Sequence, residues 1–435
     1  QMLGTDHPRD KASTVAMMPP YEVARELTRR EPQEQAEAFE RLAEPQATTV
    51  FGLLDKGCQQ QLVERLPRPR VLGLVEALEP DDRAQLLEEL PAPTARRLLS
   101  DLSPHERLMT AQLLGFPEES VGRIMTPEFL SLSPGLTVAE ALKKIRQDGR
   151  TAETVYVLPL LDDGHHLLGL VHLKDLVLAP GDQLVDDLAD RMVPSVPVLE
   201  DREVAARLIQ TTDTLAAPVV DRQGRLVGLV TVDDAMDVLD REGEEDLAWA
   251  GGAGPLARPY FSVSALRLAR TRVVWLLALA LAAVFTVKIL SVYEATLNAV
   301  ISLALFIPLL MGIGGNCGAQ SATTLVRAMS VGEVGPRDFL RVLARESLVG
   351  LLLGTMLAAL GLPPLWLFVG APVALVVALT LIVICGLAST VGAAVPVLAD
   401  WIGVDPAVAS APFITTLIDA AGLLAYFLIA RAILL

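Results

Sequence analysis

The sequence is poor in the residues from which most enzyme sites are built. It has 435 residues, of which only three are cysteines (Cys58, Cys317 and Cys385) and five are histidines. Cysteines at such wide spacing indicate neither a disulfide framework nor a zinc site. The histidines form no cluster, and the sequence contains no Ser-His-Asp, metal-hydrolase or P-loop pattern. We therefore predict that the protein is not an enzyme.

Basic residues are scarce in the first part of the chain. Residues 1–265 contain 27 Lys and Arg against 45 Asp and Glu, whereas residues 266–435 contain nine against seven. Nucleic-acid binding depends on Lys and Arg that neutralise phosphates, so we predict no nucleic-acid partner. The acidic surplus suits multivalent cations, and simple solubility is the alternative explanation.

Charged residues are nearly absent from five apolar stretches in the last part of the chain. These stretches are roughly 273–292, 296–326, 347–369, 371–399 and 407–434. Each is long enough to cross a bilayer as a helix, which needs about 20 apolar residues. The mean hydropathy of the chain, +0.44, is also too high for an ordinary soluble protein. The sequence therefore predicts a multi-pass protein of the lipid bilayer.

Arginines are absent from the loops that follow the first and third spans. They cluster before the first span, at Arg267, Arg270 and Arg272, and around the loop 327–346. The positive-inside rule places both segments in the cytoplasm, so five spans put the C-terminus outside the plasma (inner) membrane. Residues 1–20 have no apolar core of signal-peptide length, and we expect a disordered tail there.

Residues 21–120 have a helical pattern that is interrupted by regularly spaced prolines. Pro67, Pro80, Pro91 and Pro104 recur after leucines. Proline is well suited to the first turn of a helix, where its missing N–H needs no partner. The sequence therefore predicts stacked short helices, and an irregular helical bundle is the alternative.

A repeat follows the helical region. The segment HLLGLVHLKDL (166–176) matches RLVGLVTVDDA (225–235), and each copy predicts strand, helix, strand, turn, strand, helix. This arrangement resembles a tandem pair of CBS domains, which often bind adenine nucleotides. The resemblance implies a site for a nucleotide such as ATP at Gly228, Thr231 and Asp234. The first copy has His172 in place of the hydroxyl residue, and a CBS pair without nucleotide is the alternative.

Eight acids lie within residues 233–246, where the repeat ends and the membrane part approaches. They are Asp233, Asp234, Asp237, Asp240, Glu242, Glu244, Glu245 and Asp246. Carboxylates that repel one another and are bridged by a divalent cation form a two-state element; a solvated helix end is the alternative. Asp81 and Asp82 could face this run, although adjacent acids are also common in the first turn of a helix.

The fifth apolar stretch contains a single acid, Asp419, on a face with Pro412, Thr416, Gly422 and Tyr426. A carboxylate at this depth costs roughly 2.5–3.5 kcal/mol and normally faces a helix-bundle interior or a water-filled path. We therefore predict that Asp419 and Thr416 line an ion path. Hydrogen bonding of Asp419 to a neighbouring helix is the alternative.

The second stretch contains the unusual segment MGIGGNCGAQSATT (311–324). Glycines such as Gly314 and Gly315 allow close backbone approach or an irregular helix beside a cavity. Asn316 and Gln320 offer neutral polar groups that suit the water shell of Mg²⁺, an ion that loses its water reluctantly. We predict that these four residues belong to the path; a purely packing role for the glycines is the alternative.

Taken together, these features resemble the MgtE family of magnesium channels from about residue 21 onward. The resemblance implies a helical N-domain (21–124), a tandem CBS (α+β) pair (125–240), an acidic linker with a connecting helix that plugs the pore (241–272), and a five-helix transmembrane domain (273–435). It also implies a homodimer that takes up Mg²⁺ and is closed by cytosolic Mg²⁺ at Asp81, Asp82 and the 233–246 run. Asp419 would be the pore carboxylate.

Two other functions stay open at this point. The first is a secondary transporter for Co²⁺, Ni²⁺ or Zn²⁺ coupled to H⁺ or Na⁺, since a buried Asp can carry a proton. The second is a membrane-anchored CBS sensor without transport. Cys317, Ala319 and Ala411 stand where the family commonly has more polar residues, and a cysteine at 317 favours softer ions such as Co²⁺, Ni²⁺ or Zn²⁺.

Overall fold

The computed structural model describes residues 18–252, 263–406 and 411–434. The chain divides into two compact units, residues 1–242 and 243–435. Each unit is described by itself. Most of the expected N-terminal tail and part of the expected linker, residues 253–262, lie outside the described residues.

The first unit opens with an array of short helices, as the proline spacing predicts. In chain order these are α1 (Pro20–Thr28), α2 (Pro32–Glu40), α3 (Glu44–Gly52), α4 (Lys56–Arg65), α5 (Arg68–Glu76), α6 (Pro80–Glu89), α7 (Ala92–Asp101) and α8 (Pro104–Leu114). Pro80 and Pro104 are first residues of helices, and Pro67 and Pro91 directly precede them. Phe39, Phe51 and Leu62 belong to the core between these helices.

A buried arginine ties the start of α6 to its neighbours. Arg83 is 1% exposed. Its guanidinium donates to the carbonyl oxygens of Val75 at 2.9 Å and Leu78 at 2.5 Å, and it pairs with Glu106 at 2.5 Å. These bonds satisfy carbonyls at the end of α5 that have no partner inside their own helix. The first turn of α6 is therefore held in a fixed position.

The repeat folds as two similar α+β copies. The first contains α10 (Val138–Asp148), β1 (Val157–Leu161), β2 (Leu167–His172) and α11 (Leu173–Leu178), after the short helix α9 (Val121–Ile124). The second contains β3 (Val196–Pro197), α12 (Arg202–Thr212), β4 (Ala216–Val220), β5 (Leu226–Thr231) and α13 (Val232–Ala250). The predicted element order is present in the second copy. The first strand of the first copy is reduced to a single bridge between Leu132 and Leu160.

The strand registers of the two copies correspond. β1 and β2 pair antiparallel, with Val157 opposite His172, and β4 and β5 pair antiparallel, with Ala216 opposite Thr231. β3 joins β4 in parallel. A short 3₁₀ helix, Val185–Asp187, lies between the two copies in sequence. The repeated register explains why the two sequences align, because each position has the same neighbours.

Within the described residues, the second unit contains five helical segments long and apolar enough to cross a membrane, as predicted. They are Ala265–Val292, Ile301–Ser330, Pro336–Val369, Ala371–Trp401 and Ala411–Leu434. Their main helices are α14 (Ala265–Val292), α16 (Ile307–Ser330), α17 (Phe339–Val369), α18 (Ala371–Trp401) and α19 (Ala411–Leu434), with the short α15 (Glu294–Ala299) after the first. The 3₁₀ turns Ile301–Phe306 and Pro336–Asp338 begin the second and third segments.

Two helices begin earlier than the predicted spans. α14 starts at Ala265, so residues 265–272 of the expected connecting helix are the first turns of the first span in this structure. The third segment starts at Pro336, before Arg337, Arg341 and Arg345. Apolar length marks only the part of a helix that lies in hydrocarbon, and charged residues can continue the same helix into water.

Helices α16 and α18 cross at a pair of glycines. A Cβ added to Gly392 would lie 2.3 Å from the carbonyl oxygen of Gly318, well inside the distance that real Cβ atoms keep. Only glycine allows this approach of the two backbones. The crossing brings the glycine-rich segment of α16 against the most extensively buried helix of the bundle, α18.

Substitution of Gly392 by alanine should destabilise the helix bundle by about 1–3 kcal/mol, because the new methyl group forces α16 and α18 apart. Thermal unfolding of the purified full chain in detergent measures this loss. Gly312→Ala is the matched control, since a Cβ there meets no atom within 4 Å. Equal stability of the two variants would contradict the proposed close contact.

Candidate ion-binding sites

An acidic cluster lies in the first unit at the start of α6, around the buried side chain of Asp81. Carboxylate oxygens of Glu79, Asp81 and Glu153 lie within 4.8 Å of one another. Asp81 is 1% exposed, and neither of its side-chain oxygens has a hydrogen-bond partner among the described residues. Buried carboxylate oxygens without partners are costly unless a cation or a proton neutralises them. The carboxylate oxygens of the cluster are therefore suitable ligands for a divalent cation, and such a cation would neutralise their buried negative charge.

A fourth carboxyl group, that of Asp234 in the first turn of α13, lies close to this cluster. Burial raises the pKa of Asp234 well above its usual value, and the charge of Asp81 raises it further. Burial and the charge of Glu153 likewise raise the pKa of Asp81. Burial raises the pKa of Glu153 to about 8. Without a cation, Asp81, with a pKa of about 7, and Glu153 therefore hold protons around neutral pH, and a bound divalent cation would release them.

The remaining predicted acids of this region have different surroundings. Asp233 contributes negative charge at Glu79 and Glu153. Asp82 forms an ion pair with Lys56 at 2.5 Å. Asp237 is exposed, and the positive charges of Arg241 and Lys56 act on its carboxylate. Asp81, Asp233 and Asp234 thus converge on one site, while Asp82 and Asp237 lie beside a lysine at its edge.

The second half of the acidic run has partners of its own, and most of it belongs to the second unit. Glu242 accepts two hydrogen bonds from Arg202, at 3.0 and 2.8 Å, and is part of an ion pair. Glu244, Glu245 and Asp246 belong to the second unit. There Glu245 accepts a bond from the Trp249 indole at 3.1 Å, and Asp246 lines a cavity of about 230 Å³ with Thr323 and Arg327. Glu242, Glu245 and Asp246 thus have their own neighbours in the described chain, and their role as sensor acids stays a prediction.

The predicted nucleotide residues are engaged within the protein. The Thr231 hydroxyl donates to Asp234 at 2.5 Å. A Cβ on Gly228 would lie 2.7 Å from the sulfur of Met125 and 2.8 Å from the carbonyl oxygen of Thr126, so this glycine permits close approach of a neighbouring segment. Asp234 also belongs to the acidic cluster. An adenine nucleotide at these three residues stays a prediction.

The raised pKa of Glu153 predicts a specific pH dependence. Its folded pKa, about 8, lies above the value of about 4.3 for an unfolded glutamate, so the folded state binds more protons between these values. In the presence of EDTA, the free energy of unfolding of the first unit should therefore fall as pH rises from about 5 to about 8, by at most about 1.4 kcal/mol per pH unit for one group.

Thermal unfolding of the full chain at two pH values within this range measures the effect. Mg²⁺ should restore the lost stability at the higher pH, because the cation replaces the protons. The Glu153→Gln variant, which does not titrate, should show a flatter dependence. Greater stability at the higher pH in EDTA would contradict the proposed cluster.

In the second unit, Asp419 is half-buried on α19 and forms no hydrogen bond or ion pair with the described part of the chain. Gly314 packs against Ile418, and Gly422 packs near Met311, so α16 and α19 run antiparallel with Asp419 near the level of Gly314. Thr416 donates to the Pro412 carbonyl of its own helix at 2.9 Å. An ionisable side chain in such a place, without a protein partner, is typical of an ion pathway.

A stripe of polar side chains follows α16 on its exposed side. Asn316, Gln320, Thr323 and Thr324 are exposed in the single chain, and their spacing of four, three and one residues keeps them on one side of the helix. We call this set the amide stripe. In a lipid bilayer such side chains are costly against hydrocarbon. The stripe therefore requires water or another polar protein surface beside it.

The glycines of the same segment have a packing role in this structure. Gly314 lies against Ile384 and Ile418, and Gly315 lies against Thr415. Both are buried, and α16 is one continuous helix through them. They hold α16 close to α18 and α19 and so position Asn316 and Gln320. The sequence could not distinguish the two roles, because it does not show which helix face meets a neighbour.

Three acids that the sequence analysis did not select have notable positions. Glu79 and Glu153 complete the acidic cluster, and only the tertiary fold brings Glu153 to α6. Glu346 on α17 accepts a hydrogen bond from Ser321 of α16 at 2.8 Å. Glu346 directly precedes the predicted third span. It does not interrupt an apolar stretch, so the hydropathy pattern does not single it out.

The fold, the acidic cluster and the surroundings of Asp419 define a class of protein. It is a multi-pass membrane protein with a helical domain, a CBS pair and a helix bundle whose Asp419 has no partner among the described residues. Sequence profiles of three domains match the chain. They are a divalent cation transporter domain called MgtE (residues 307–429), the MgtE intracellular N domain (18–119) and the CBS domain (121–182 and 184–241). The chain belongs to the MgtE family of divalent cation transporters.

Individual relatives agree with this assignment. The chain is 39% identical over 323 residues to the magnesium transporter MgtE of Thermus thermophilus, covering 74% of this chain and 72% of the relative. It is 36% identical to that of Enterococcus faecalis over 73% of this chain and 70% of the relative. Among solved structures, the cytosolic domain of the Mg²⁺ channel MgtE in complex with ATP is 31% identical, with a TM-score of 0.49, covering 53% of this chain and 95% of that one.

Proposed function

We propose that the protein is a Mg²⁺ channel whose ion path passes Asp419. The carboxylate of Asp419 carries the proposal, because it is half-buried in an apolar helix and has no partner in the part of the chain that the structure describes. The matched relatives named above are magnesium transporters. Mg²⁺ keeps much of its water shell and is typically held by one or two carboxylates, so a single acid per chain suits it better than a cage of ligands.

The amide stripe supports a path formed between two copies of the chain. Asn316 and Gln320 are exposed in one chain, yet they lie on a membrane helix beside α19. A second copy related by twofold symmetry would cover both stripes and place two Asp419 carboxylates about one axis. Between them, amide groups would meet the water molecules of a hydrated cation, and Thr416 would lie at the same surface.

We further propose that cytosolic Mg²⁺ closes the channel through the acidic cluster. Asp81, Asp234 and Glu153 repel one another when ionised, and the buried oxygens of Asp81 have no partner among the described residues. A cation that binds this compact arrangement more tightly than an open one shifts the population toward it. A tenfold difference in affinity between the two arrangements corresponds to about 1.4 kcal/mol per site. A few such sites therefore suffice to close the channel.

The distribution of arginines supports a cytoplasmic location for both N-terminal domains. Arg267, Arg270 and Arg272 precede the membrane-crossing part of α14, and Arg337 and Arg341 lie in the segment after α16. By the positive-inside rule these segments face the cytoplasm. The acidic cluster would then sample the cytosolic Mg²⁺ concentration, and the C-terminus would lie outside.

Flux measurements in proteoliposomes with the full chain test the transport proposal. Mg²⁺ entry should follow the Mg²⁺ gradient, should be unaffected when an imposed pH or Na⁺ gradient is abolished, and should be reduced by competing Co²⁺. Liposomes without protein are the control. Flux that follows a pH or Na⁺ gradient instead would identify a coupled secondary transporter, and absence of any flux would favour a sensor without transport.

A further inference from the structure

Two thiols from different membrane helices meet in the interior of the second unit. Cys317 lies on α16 and Cys385 on α18, and they belong to the same buried cluster with Ala388 and Ile414. The Cys317 sulfur is 3.2 Å from the hydroxyl oxygen of Ser389 and 3.7 Å from the carbonyl oxygen of Cys385. Transport of Mg²⁺ gives this group no role.

The atoms gathered here match the preferences of soft metal ions. Two sulfur ligands, a hydroxyl oxygen and a carbonyl oxygen come from two helices that the contact of Gly318 with Gly392 already holds together. Thiolates select soft or borderline cations, whereas Mg²⁺ prefers oxygen. We propose that Cys317, Cys385 and Ser389 form a binding site for a soft divalent cation of the Cd²⁺ class, separate from the path of Mg²⁺.

The net charge of the metal–thiolate complex determines whether the site prefers a monovalent or a divalent ion. A divalent cation that binds both thiols displaces their two protons to water and forms two metal–sulfur bonds, which leaves the complex with no net charge. A monovalent ion bound in the same way would leave a net negative charge within the helix bundle, where an uncompensated charge is costly. The site is therefore expected to prefer Cd²⁺ over Ag⁺ or Cu⁺.

The exposure of the two cysteines indicates the side from which a cation would reach them, and the helices that they connect indicate what its binding would change. Cys385 is fully buried, whereas Cys317 keeps 6% of its surface, so a cation would reach the pair from the Cys317 side. Cys317 follows Asn316 of the amide stripe. A metal bridge from α16 to α18 would fix the helix that carries this stripe, and we expect Cd²⁺ to inhibit Mg²⁺ flux without being displaced by excess Mg²⁺.

Titration of the purified full chain with Cd²⁺ tests the proposal, with the ultraviolet absorption of Cd²⁺–thiolate bonds as the readout. The wild type should bind one Cd²⁺ per chain with this signal. Cys317→Ser and Cys385→Ser should each weaken binding by about 100-fold or more, since loss of even an outer-shell partner costs roughly 10–100-fold. Cys58→Ser, a change in the first unit, is the matched control and should bind like the wild type.

Several results would overturn the proposal. One is an unchanged Cd²⁺–thiolate signal in the properly folded Cys317→Ser or Cys385→Ser variant, with folding checked by size-exclusion chromatography. Another is complete displacement of Cd²⁺ by Mg²⁺, which would locate the ion at a carboxylate. A third is intact-mass evidence that Cys317 and Cys385 are joined as a disulfide in the isolated protein. The binding readout does not depend on transport, so failure of the Mg²⁺ channel proposal would leave it interpretable.

Discussion

Substitution of Asp419 by asparagine should reduce Mg²⁺ flux by about 100-fold or more. The change preserves the shape of the side chain and removes its charge, which has no protein partner among the described residues. Two unit charges about 4 Å apart interact with roughly 4 kcal/mol at an effective dielectric constant of 20, and each 1.4 kcal/mol is a factor of ten. Losing even part of such an attraction between Asp419 and a divalent ion is therefore enough to reduce Mg²⁺ flux by the expected factor.

Uptake into proteoliposomes under a fixed Mg²⁺ gradient measures this loss. Asp405→Asn removes the same charge at an exposed position between the fourth and fifth spans, and it should leave flux near the wild-type value. Wild-type flux in Asp419→Asn would mean that the carboxylate is only a packing residue and that the ion path lies elsewhere.

The second large effect is expected in the acidic cluster. A double variant, Asp81→Asn with Asp234→Asn, should lose the response of flux to cytosolic Mg²⁺. Both carboxyl groups are buried, and their repulsion is the energy that a bound cation relieves. Neutral amides remove that repulsion and the charge that attracts the ion, so the half-closing Mg²⁺ concentration should rise by at least about tenfold, or 1.4 kcal/mol.

Single-channel recording with stepwise increases of Mg²⁺ on the side of the N-terminal domains measures this response. Asp148→Asn changes an exposed acid of the same unit and should close at the wild-type concentration. If the double variant still closes at that concentration, the acidic cluster is not the sensor, whatever the result at Asp419.

Some parts of the fold could be predicted from local chemistry alone. Pro80 and Pro104 begin helices because the first turn needs no N–H from proline, and Asp419 stands out because one charge interrupts an apolar stretch. These signals depend on a residue and its immediate neighbours. The helical array, the CBS pair and the five spans follow from such signals, and the structure has all of them.

Other parts depend on contacts between distant segments. Glu153 joins Asp81 only after the first CBS copy has folded against the helical array. Gly314 and Gly315 pack against α18 and α19, which spacing alone does not reveal, and their place on the ion path stays a prediction. Glu242 forms an ion pair with Arg202, a partner 40 residues away that spacing does not reveal, and its role as a sensor acid stays a prediction. Composition and spacing carry no information about these partners.

The amide stripe also bears on what happens to a chain that is alone in the membrane. Asn316 and Gln320 are exposed when the chain is considered singly, so an isolated copy would press amide groups against lipid tails. Assembly would then obey mass action within the plane of the bilayer: diluting the protein with lipid should lower the activity per chain. In a cell that makes too little of this protein, Mg²⁺ uptake would therefore fall more steeply than the number of chains in the membrane.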